Sequence, residues 1–254
     1  MSLFFSFLFL ASLFWYLLSV FFKRNDIADI AWGSNAVFLA LLAWGVSGVS
    51  LFSPQGIALL LILFWGMRLS FHITSRILKK DEDPRYAKYR KEWGALFPLK
   101  SYLFIFLGQT LLIALITITP WYILSYGQYF SWNIIAVLGV GIWVLGFSFE
   151  SIADNQLKNF LHNPKNKGKL MTEGLWKYSR HPNYFGESVM WWGLFLVTIS
   201  FPYGWIALVS PVIITFFLLK VTGIPLAEKS LSSHPDFSGY KKKTSIFIPL
   251  PPRK

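Results

Sequence analysis

The residues that could do chemistry in this chain are densest between Gly174 and Glu187, just before an apolar run. Within eleven positions this segment holds Lys177, Tyr178, Arg180, His181, Asn183, Tyr184 and Glu187. Polar groups at the edge of a bilayer are costly unless they are paired. Arg and Lys suit phosphate, Asn and Tyr suit amide or hydroxyl partners, and Glu can hold a cation or a ribose hydroxyl. The segment is therefore a candidate binding site, although anchoring of a loop to lipid headgroups would also use its basic and aromatic residues.

A second set of ionisable residues shares one helical face close to this segment. Glu150, Asp154 and Lys158 recur at four-residue steps on a helix that continues an apolar span. An exposed Asp154–Lys158 pair would contribute only about 0.2–0.5 kcal/mol. Two acids at the membrane boundary beside the basic segment favour a shared site instead.

A third set lies at the depth of the apolar spans. One helical face is shared by Asp26, Asp29 and Gly33, and another by Trp65, Arg68, His72 and Ser75. Ionisable residues at this depth usually pair and face the interior of a helix bundle. A structural Asp29–Arg68 pair and a role in a substrate cavity both stay open. In the second case Asp29, Arg68 and His72 are candidate catalytic residues, with His72 as an acid that polarises a carbonyl group.

Composition fixes the broad class of protein. The 254 residues are 54% hydrophobic and 19% aromatic, which is typical of a polytopic membrane protein. There is no cysteine, so a disulfide framework, a thiolate nucleophile and a thiolate metal site are excluded. The four histidines are scattered, and neither a Gly-x-Gly-x-x-Gly pattern nor a P-loop occurs. We predict no metal site and no Gly-rich nucleotide loop.

Seven apolar runs have spanning length, at about 3–22, 30–46, 54–71, 102–122, 132–149, 189–201 and 205–222. The connections near 47–53, 125–131 and 201–204 contain no charged residue, whereas Lys and Arg concentrate in and beside the other connections. This asymmetry follows the positive-inside rule. We therefore predict an all-α polytopic protein with seven transmembrane helices, the N-terminus outside and the C-terminus in the cytoplasm.

The same pattern predicts a single membrane domain, 1–254, with cytoplasmic segments 76–100, 150–187 and 223–254. In the first of these, the spacing of Tyr86, Tyr89 and Trp93 favours an amphipathic helix whose aromatic residues anchor to headgroups. The net charge of +12 is assigned to contact with membrane lipids. Because the basic residues lie beside spans, a nucleic-acid partner is not expected, and no obligate protein partner is evident.

The segment Ser179–Glu187 resembles the cofactor motif of the membrane steroid 5-alpha-reductase family, particularly its bacterial branch. Further matching segments run over nearly the whole chain, namely Asp29–Gly33, Trp65–Leu69, Glu150–Gln156, Ser210–Pro211, Gly223–Lys229 and Thr244–Pro249. A shorter pattern, Arg-His-Pro followed by a small residue and Tyr, also occurs in isoprenylcysteine carboxyl methyltransferases. The resemblance to that second family is weaker.

The first resemblance implies an oxidoreductase that binds NADPH from the cytoplasm, in a bacterial inner membrane. It would reduce a carbon–carbon double bond conjugated to a ketone in a steroid-like or other lipid substrate held between spans one to four. Hydride delivery to the β-carbon leaves an enolate, which a hydrogen-bonding acid stabilises. The implied cofactor-binding residues are Glu150, Asp154, Lys177, Tyr178, Arg180, His181, Asn183, Tyr184, Glu187, Glu228 and Lys229.

This chain departs from the characterised animal enzymes at two places. Those enzymes grip the steroid ketone with a Tyr and a Glu in the early spans, where this sequence offers Asp29, Arg68 and His72. They also have a late His and Tyr near the cofactor, where this sequence has Glu228 and Lys229. The departures leave two alternatives open: an S-adenosylmethionine-dependent methyltransferase of the isoprenylcysteine type, and a lipid-binding membrane protein without catalysis.

Overall fold

A computed structural model describes residues 2–126 and 131–253. All regular structure in these two ranges is helical, as predicted, apart from one isolated parallel bridge between Ser179 and Ser245. The chain divides into two compact units, Met1–Ser131 and Trp132–Lys254. Part of the charge-free connection predicted at 125–131 lies outside the described residues.

The described residues of the first unit form seven α-helices. They are α1 (Ser2–Phe22), α2 (Ile27–Ser47), α3 (Pro54–Ile77), α4 (Pro84–Trp93), α5 (Phe97–Lys100), α6 (Gly108–Ile116) and α7 (Ile118–Tyr126). The second unit contains α8 (Ile134–His162), α9 (Pro182–Ile199), α10 (Val209–Phe216), α11 (Ile224–Leu231) and α12 (Phe237–Lys243).

Six helical segments of the described residues are long and apolar enough to cross a membrane. They are Leu3–Phe22, Ile27–Ser47, Pro54–Ile77, Pro84–Ile116, Ile134–His162 and Gly204–Leu231. Their number and composition identify an integral membrane protein. The predicted span at 189–201 lies in α9, which is not among the six, so the count of seven stays a prediction.

The segment Pro84–Ile116 begins well before the predicted span at 102–122. Asp83 accepts a hydrogen bond from the Arg85 amide and Pro84 occupies the first turn, both common at helix starts. A 3₁₀ turn at Gly94–Leu96 and a π turn at Ser101–Leu107 then carry the helical path into α6. Helical geometry therefore extends through residues that were predicted to form a cytoplasmic segment.

The aromatic residues of α4 pack inside the first unit. Tyr86 is buried in a cluster with Ala28 and Phe106, and Tyr89 stacks on Trp93 against that cluster. The expectation of headgroup anchoring is therefore wrong for Tyr86. An amphipathic pattern has the same periodicity whether its apolar face meets lipid or protein.

Helices α2 and α3 cross at two glycines. A Cβ atom on Gly33 would lie 2.3 Å from the Gly66 carbonyl oxygen, and one on Gly66 would lie 2.7 Å from the Gly33 carbonyl oxygen. Small residues allow backbones to approach this closely in membrane helices. Because the two helices run in opposite directions at the crossing, Asp29 near the start of α2 comes beside the end of α3.

Helices α8 and α9 use the same device twice. Gly139 faces Gly193 and Gly146 faces Gly186, and a Cβ on any of the four would lie 2.5–2.7 Å from backbone atoms of the other helix. A Cβ on Gly186 would also meet the Glu150 amide nitrogen at 2.5 Å. The crossing therefore sets the first turn of α9 directly against the part of α8 that carries Glu150 and Asp154.

Candidate functional site

The segment that precedes α9 is fixed to α8 by two hydrogen bonds. The Leu175 amide donates to Gln156 Oε1 at 2.9 Å, and the Trp176 indole donates to the Ala153 carbonyl at 3.0 Å. Gly174 has a positive φ of 58°, and a side chain there would collide with Gln156. The segment that is densest in candidate residues is therefore positioned by the C-terminal half of α8, which was predicted to share its site.

The same segment pairs with the C-terminal part of the chain. The Arg180 amide donates to the Ser245 carbonyl at 2.8 Å, and the Leu250 amide donates to the Tyr178 carbonyl at 3.0 Å. The Ser179 hydroxyl donates to the Phe247 carbonyl at 2.7 Å. These bonds make residues 245–250 a structural part of the candidate site.

Arg180 is buried, and protein groups surround its guanidinium. Nε and Nη2 lie 2.7 and 2.6 Å from Glu228 Oε1, while Nη1 donates to the Thr244 and Lys241 carbonyls at 2.7 and 3.2 Å. The side chains of Arg180 and Glu228 are 5% and 15% exposed. Arg180 therefore joins the motif to α11 and to the chain that follows α12.

His181 precedes α9 and stacks on Tyr184, with ring centroids 5.5 Å apart. Its Nε2 lies 3.5 Å from Glu228 Oε1, which is too long for a strong hydrogen bond. Burial lowers the pKa of His181 to about 4, although the Glu228 carboxylate opposes this shift. His181 is therefore a neutral imidazole at neutral pH.

Asn183 connects the motif to the acidic face of α8. Its Nδ2 donates to Asp154 Oδ1 at 3.2 Å, while its buried Oδ1 has no hydrogen-bond partner among the described residues. Glu150 is buried one turn before Asp154. The geometry offers buried oxygen acceptors, which suit the hydroxyl, amide or amino groups of a ligand.

Three exposed lysines lie on the segments that Arg180 and Thr244 bring together. Lys177, Lys229 and Lys241 are exposed, and Lys241 Nζ lies 3.9 Å from Glu228 Oε2. The Thr244 hydroxyl lies 3.4 Å from the Lys177 carbonyl, so the lysines of α12 come near the motif. Phosphate groups of a nucleotide would meet exposed cations here. Among the remaining candidates, Tyr178 is exposed and Glu187 is half-buried on α9.

The first unit holds a separate cluster around Asp29. Tyr86 Oη donates to Asp29 Oδ1 at 3.3 Å, and Asp29 Oδ2 lies 3.9 Å from Arg76 Nη2 and 3.7 Å from Arg85 Nη2. The side chains of Arg76 and Arg85 are about half exposed. On α3, Arg68 is half-buried and His72 is exposed.

Sequence reasoning missed several partners in both clusters. Arg85 and Tyr86 contact Asp29 but belong to α4, a helix that was interpreted as a surface element. Glu228 was included only as part of the resemblance, although it is the main partner of Arg180. For Asp29, the local signal was an acidic residue within an apolar span, because such a residue usually pairs with another polar or charged group.

Comparison with known proteins identifies the family. The chain belongs to the family described as "Protein of unknown function (DUF1295)", whose model matches residues 15–244. It is also 30% identical over 113 residues to 3-oxo-5-alpha-steroid 4-dehydrogenase 1 of Rattus norvegicus, which covers 44% of this chain and 40% of the relative. The chain thus spans about two-fifths of the length of that relative. No solved structure matches.

These findings agree with the resemblance to steroid 5-alpha-reductases that the motifs indicated. The bacterial origin and the weaker resemblance to methyltransferases stay predictions.

Proposed function

We propose that this DUF1295 protein is a membrane-embedded, NADPH-dependent reductase. Its substrate would be a steroid-like or other lipid with a carbon–carbon double bond conjugated to a ketone. The similarity to a steroid dehydrogenase supports this chemistry. The observation that carries the cofactor assignment is that the 174–187 segment contacts both Asp154 of α8, through Asn183, and Glu228, through Arg180.

The residues of the second unit fit a dinucleotide. Asn183 Oδ1 and the Asp154 carboxylate supply acceptors for amide or hydroxyl groups. Lys177, Lys229 and Lys241 supply cations for phosphate, and stacked His181 and Tyr184 offer aromatic surface. When bound, NADPH supplies the hydride.

Arg180 takes a positioning role in this proposal. Its hydrogen bonds hold Glu228 and the Lys241 and Thr244 carbonyls against the motif, which fixes the backbone that carries Lys241. The resemblance implies that Arg180 contacts the cofactor directly, and this contact stays a prediction.

The face of α3 that carries Arg68 and His72 is proposed to act on the substrate carbonyl. Negative charge that develops on a carbonyl oxygen in apolar surroundings needs a preorganised donor. Asp29 would set the charge balance of this region together with Arg76 and Arg85. These three candidates, Asp29, Arg68 and His72, are assigned to the chemical step and not to cofactor affinity.

The proposed topology has seven spans, with the motif and the C-terminus in the cytoplasm. Because the chain has no cysteine, a single cysteine introduced at Lys177 or at Phe52 would be the one thiol that a reagent can label. Its labelling reports the side of the membrane on which that position lies. Phe52 is 77% exposed in the charge-free connection before α3. The two positions should react with an impermeant thiol reagent from opposite sides of sealed vesicles, and labelling from one side would overturn the topology.

The cofactor assignment is tested by thermal unfolding of detergent-purified protein with NADPH, NADH and S-adenosylmethionine in parallel. We expect NADPH to give the largest rise in the melting temperature, since a ligand that binds only folded protein stabilises it. Stabilisation by S-adenosylmethionine and not by NADPH would favour the methyltransferase alternative. Stabilisation by none of the three would favour a lipid-binding protein without catalysis.

Two substitutions test whether NADPH binds to the second unit. Asn183→Ala and Lys177→Gln should each weaken NADPH binding about tenfold, equivalent to about 1.4 kcal/mol. Lys165→Gln is the matched control, because Lys165 is also an exposed lysine of this unit but lies in the turn after α8. Equal NADPH affinity in all three variants and the parent would remove the motif from the cofactor site.

A further inference from the structure

The first unit contains a cavity of about 300 Å³ beside the last turn of α1. Its volume is at the lower end of the roughly 300–1,000 Å³ typical of small-molecule sites, which is enough for a headgroup-sized ligand. The cavity is open on one side, because one of its wall residues is 56% exposed. The wall includes Val20, Lys23, Asn25, Arg90, Phe97 and Ser101.

Lys23 brings a cation to this wall from an unusual backbone conformation. Its φ is 55°, in the left-handed region that glycine favours. The Lys23 amide donates to the Val20 carbonyl at 3.3 Å, and the Arg24 amide donates to the Ser19 carbonyl at 3.0 Å. These two bonds form the cap with which a left-handed residue, usually glycine, ends a helix. A lysine at a position where glycine would cost less indicates a role for its side chain.

Arg90 brings a second cation, which is held in place on two sides. Both of its terminal nitrogens donate to Glu82, with Nη2 at 2.7 Å from Oε1, and its guanidinium carbon lies 5.3 Å from the centre of the Phe97 ring. Glu82 Oε1 also accepts from the Asn25 amide at 2.6 Å, and Asn25 Nδ2 donates to Ser101 Oγ at 2.7 Å. A guanidinium has five N–H groups, so Arg90 keeps donors beyond those bonded to Glu82.

The charge of Lys23 favours an anion in this cavity. Arg90 is offset by Glu82, and Arg24 is offset by Asp26 at 2.9 Å. Lys23 is exposed, and no carboxylate of the described residues lies within ion-pair distance of it. An ammonium group and a fixed guanidinium on one wall are the donors that phosphate groups prefer.

The cavity also lies where a membrane lipid presents its phosphate. The apolar segment Leu3–Phe22 of α1 is long enough to cross a membrane, and Lys23 follows it directly. Lipid headgroups begin at the edge of the hydrocarbon core, at the ends of such segments. Leu17 and Val20, one turn apart and each 56% exposed, continue an apolar surface from the cavity along α1.

We propose that this cavity binds the phosphate of a phospholipid. Lys23 and Arg90 donate to the phosphate oxygens, and an acyl chain follows Leu17 and Val20 along α1. The bound lipid joins the end of α1 to α4, because each helix region supplies one of the two cations. General anchoring of a lysine to headgroups needs neither the cavity nor the arginine. The site is separate from the proposed reductase chemistry, and its test uses no NADPH.

The first test removes the Lys23 cation without straining the backbone. Binding of dioleoylphosphatidylglycerol and of dioleoylglycerol to delipidated, full-length protein in detergent is measured by native mass spectrometry. We expect the parent to bind the phospholipid about tenfold more tightly. Lys23→Gly should lose this preference and still fold, because glycine suits the left-handed position. Lys80→Gly, at an exposed lysine after α3, should behave like the parent. Equal binding of the two lipids by the parent, or a full preference in Lys23→Gly, would overturn the proposal.

The second test distinguishes the cavity from attraction of lipid by charge alone. Val20→Trp places a bulky side chain at the opening and leaves both cations in place, so it should weaken phospholipid binding about tenfold. Val46→Trp is the matched control, since Val46 is an exposed valine near the end of α2. Unchanged binding in Val20→Trp would contradict a ligand inside the cavity. Inorganic phosphate in large excess should not displace the phospholipid, and displacement would mean that the site takes free phosphate and not a lipid.

Discussion

The two clusters of acid and arginine in this protein use the same residue types in opposite ways. In the second unit, buried Arg180 is joined at 2.6–2.7 Å to Glu228, which is 15% exposed. In the first unit, Asp29 faces half-exposed Arg76 and Arg85 at 3.7–3.9 Å. Each cluster lies beside a glycine crossing of antiparallel helices. The two clusters therefore differ in the burial of their arginines and in the distances to the acids. They do not differ in the kind of helix crossing beside which they lie.

This difference agrees with the different roles proposed for the two clusters. A buried pair cannot lose one partner without leaving an uncompensated charge, so it fixes the chain around it. Charges that lie at nearly 4 Å and are partly hydrated interact weakly and can adjust when another group approaches. The Arg180–Glu228 cluster is thus suited to the proposed role of positioning a cofactor site. The Asp29 cluster is suited to stabilising charge that would develop on a bound substrate.

The strongest test of this contrast is Arg180→Met. It keeps most of the apolar stem but leaves the Glu228 carboxylate, which is 15% exposed, with exposed Lys241 at 3.9 Å as a weaker cationic partner. Loss of one partner of a buried pair costs about 3–5 kcal/mol, so we expect a large fall in the free energy of unfolding. Denaturation followed by tryptophan fluorescence in detergent measures it.

The double variant Arg180→Met, Glu228→Leu is the control for this prediction. It removes both charges together and should recover much of the lost stability. If the folded double variant binds NADPH like the parent, direct contact between Arg180 and the cofactor is excluded. A double variant as unstable as the single one would contradict the pairing.

The same residues show which contacts of the candidate site could be predicted from the sequence. The four-residue spacing of Glu150 and Asp154 placed both acids on one helical face, and in the structure Asp154 meets the motif at Asn183. Local periodicity is enough for such a result because one helix carries both groups. The partner of Arg180 lies 48 residues further along the chain, where no local pattern indicates which acid it meets.

The first unit shows a second limit. The pattern of α4 correctly indicates an amphipathic helix. Tyr86 on its apolar face packs against protein and not against headgroups. Hydrophobic periodicity reports that a face is apolar and not what covers it. For the same reason the contacts of Arg85 and Tyr86 with Asp29 were not predicted.

A smaller effect, on rate, is expected in the first unit. His72→Ala should lower turnover of an enone about 100-fold, equivalent to about 2.7 kcal/mol in the activation free energy, and leave NADPH affinity nearly unchanged. NADPH oxidation that depends on enone measures turnover. His162→Ala, an exposed histidine at the end of α8, is the control. Unchanged turnover per folded molecule would mean that His72 has no catalytic role.

The buried cluster should also give stability a dependence on pH. His181 has a folded pKa of about 4, below its ordinary 6.5, because burial disfavours its charged form. Between pH 6.5 and 4 the unfolded chain binds a proton that the folded protein does not, so stability is full above pH 6.5 and falls as the pH drops toward 4. We expect this loss to be on the order of 1–3 kcal/mol.

His181→Phe tests that assignment, since a phenyl ring keeps the stacking on Tyr184 and cannot be protonated. Its stability should fall less than that of the parent over the same pH range, whereas His162→Gln should follow the parent. Parallel curves for the parent and His181→Phe would show that another group titrates.

The smallest effect is expected from Arg76→Gln, the counterpart of the Arg180 variant in the loosely held cluster. Arg76 is 53% exposed and lies 3.9 Å from Asp29, and such pairs contribute about 0–1 kcal/mol. The free energy of unfolding should therefore change by less than about 1 kcal/mol, and the change should shrink in about 1 M salt, where screening acts over about 3 Å. A loss as large as that in Arg180→Met, and insensitive to salt, would mean that the Asp29 cluster is as structural as the buried one, and the distinction between the two clusters would fail.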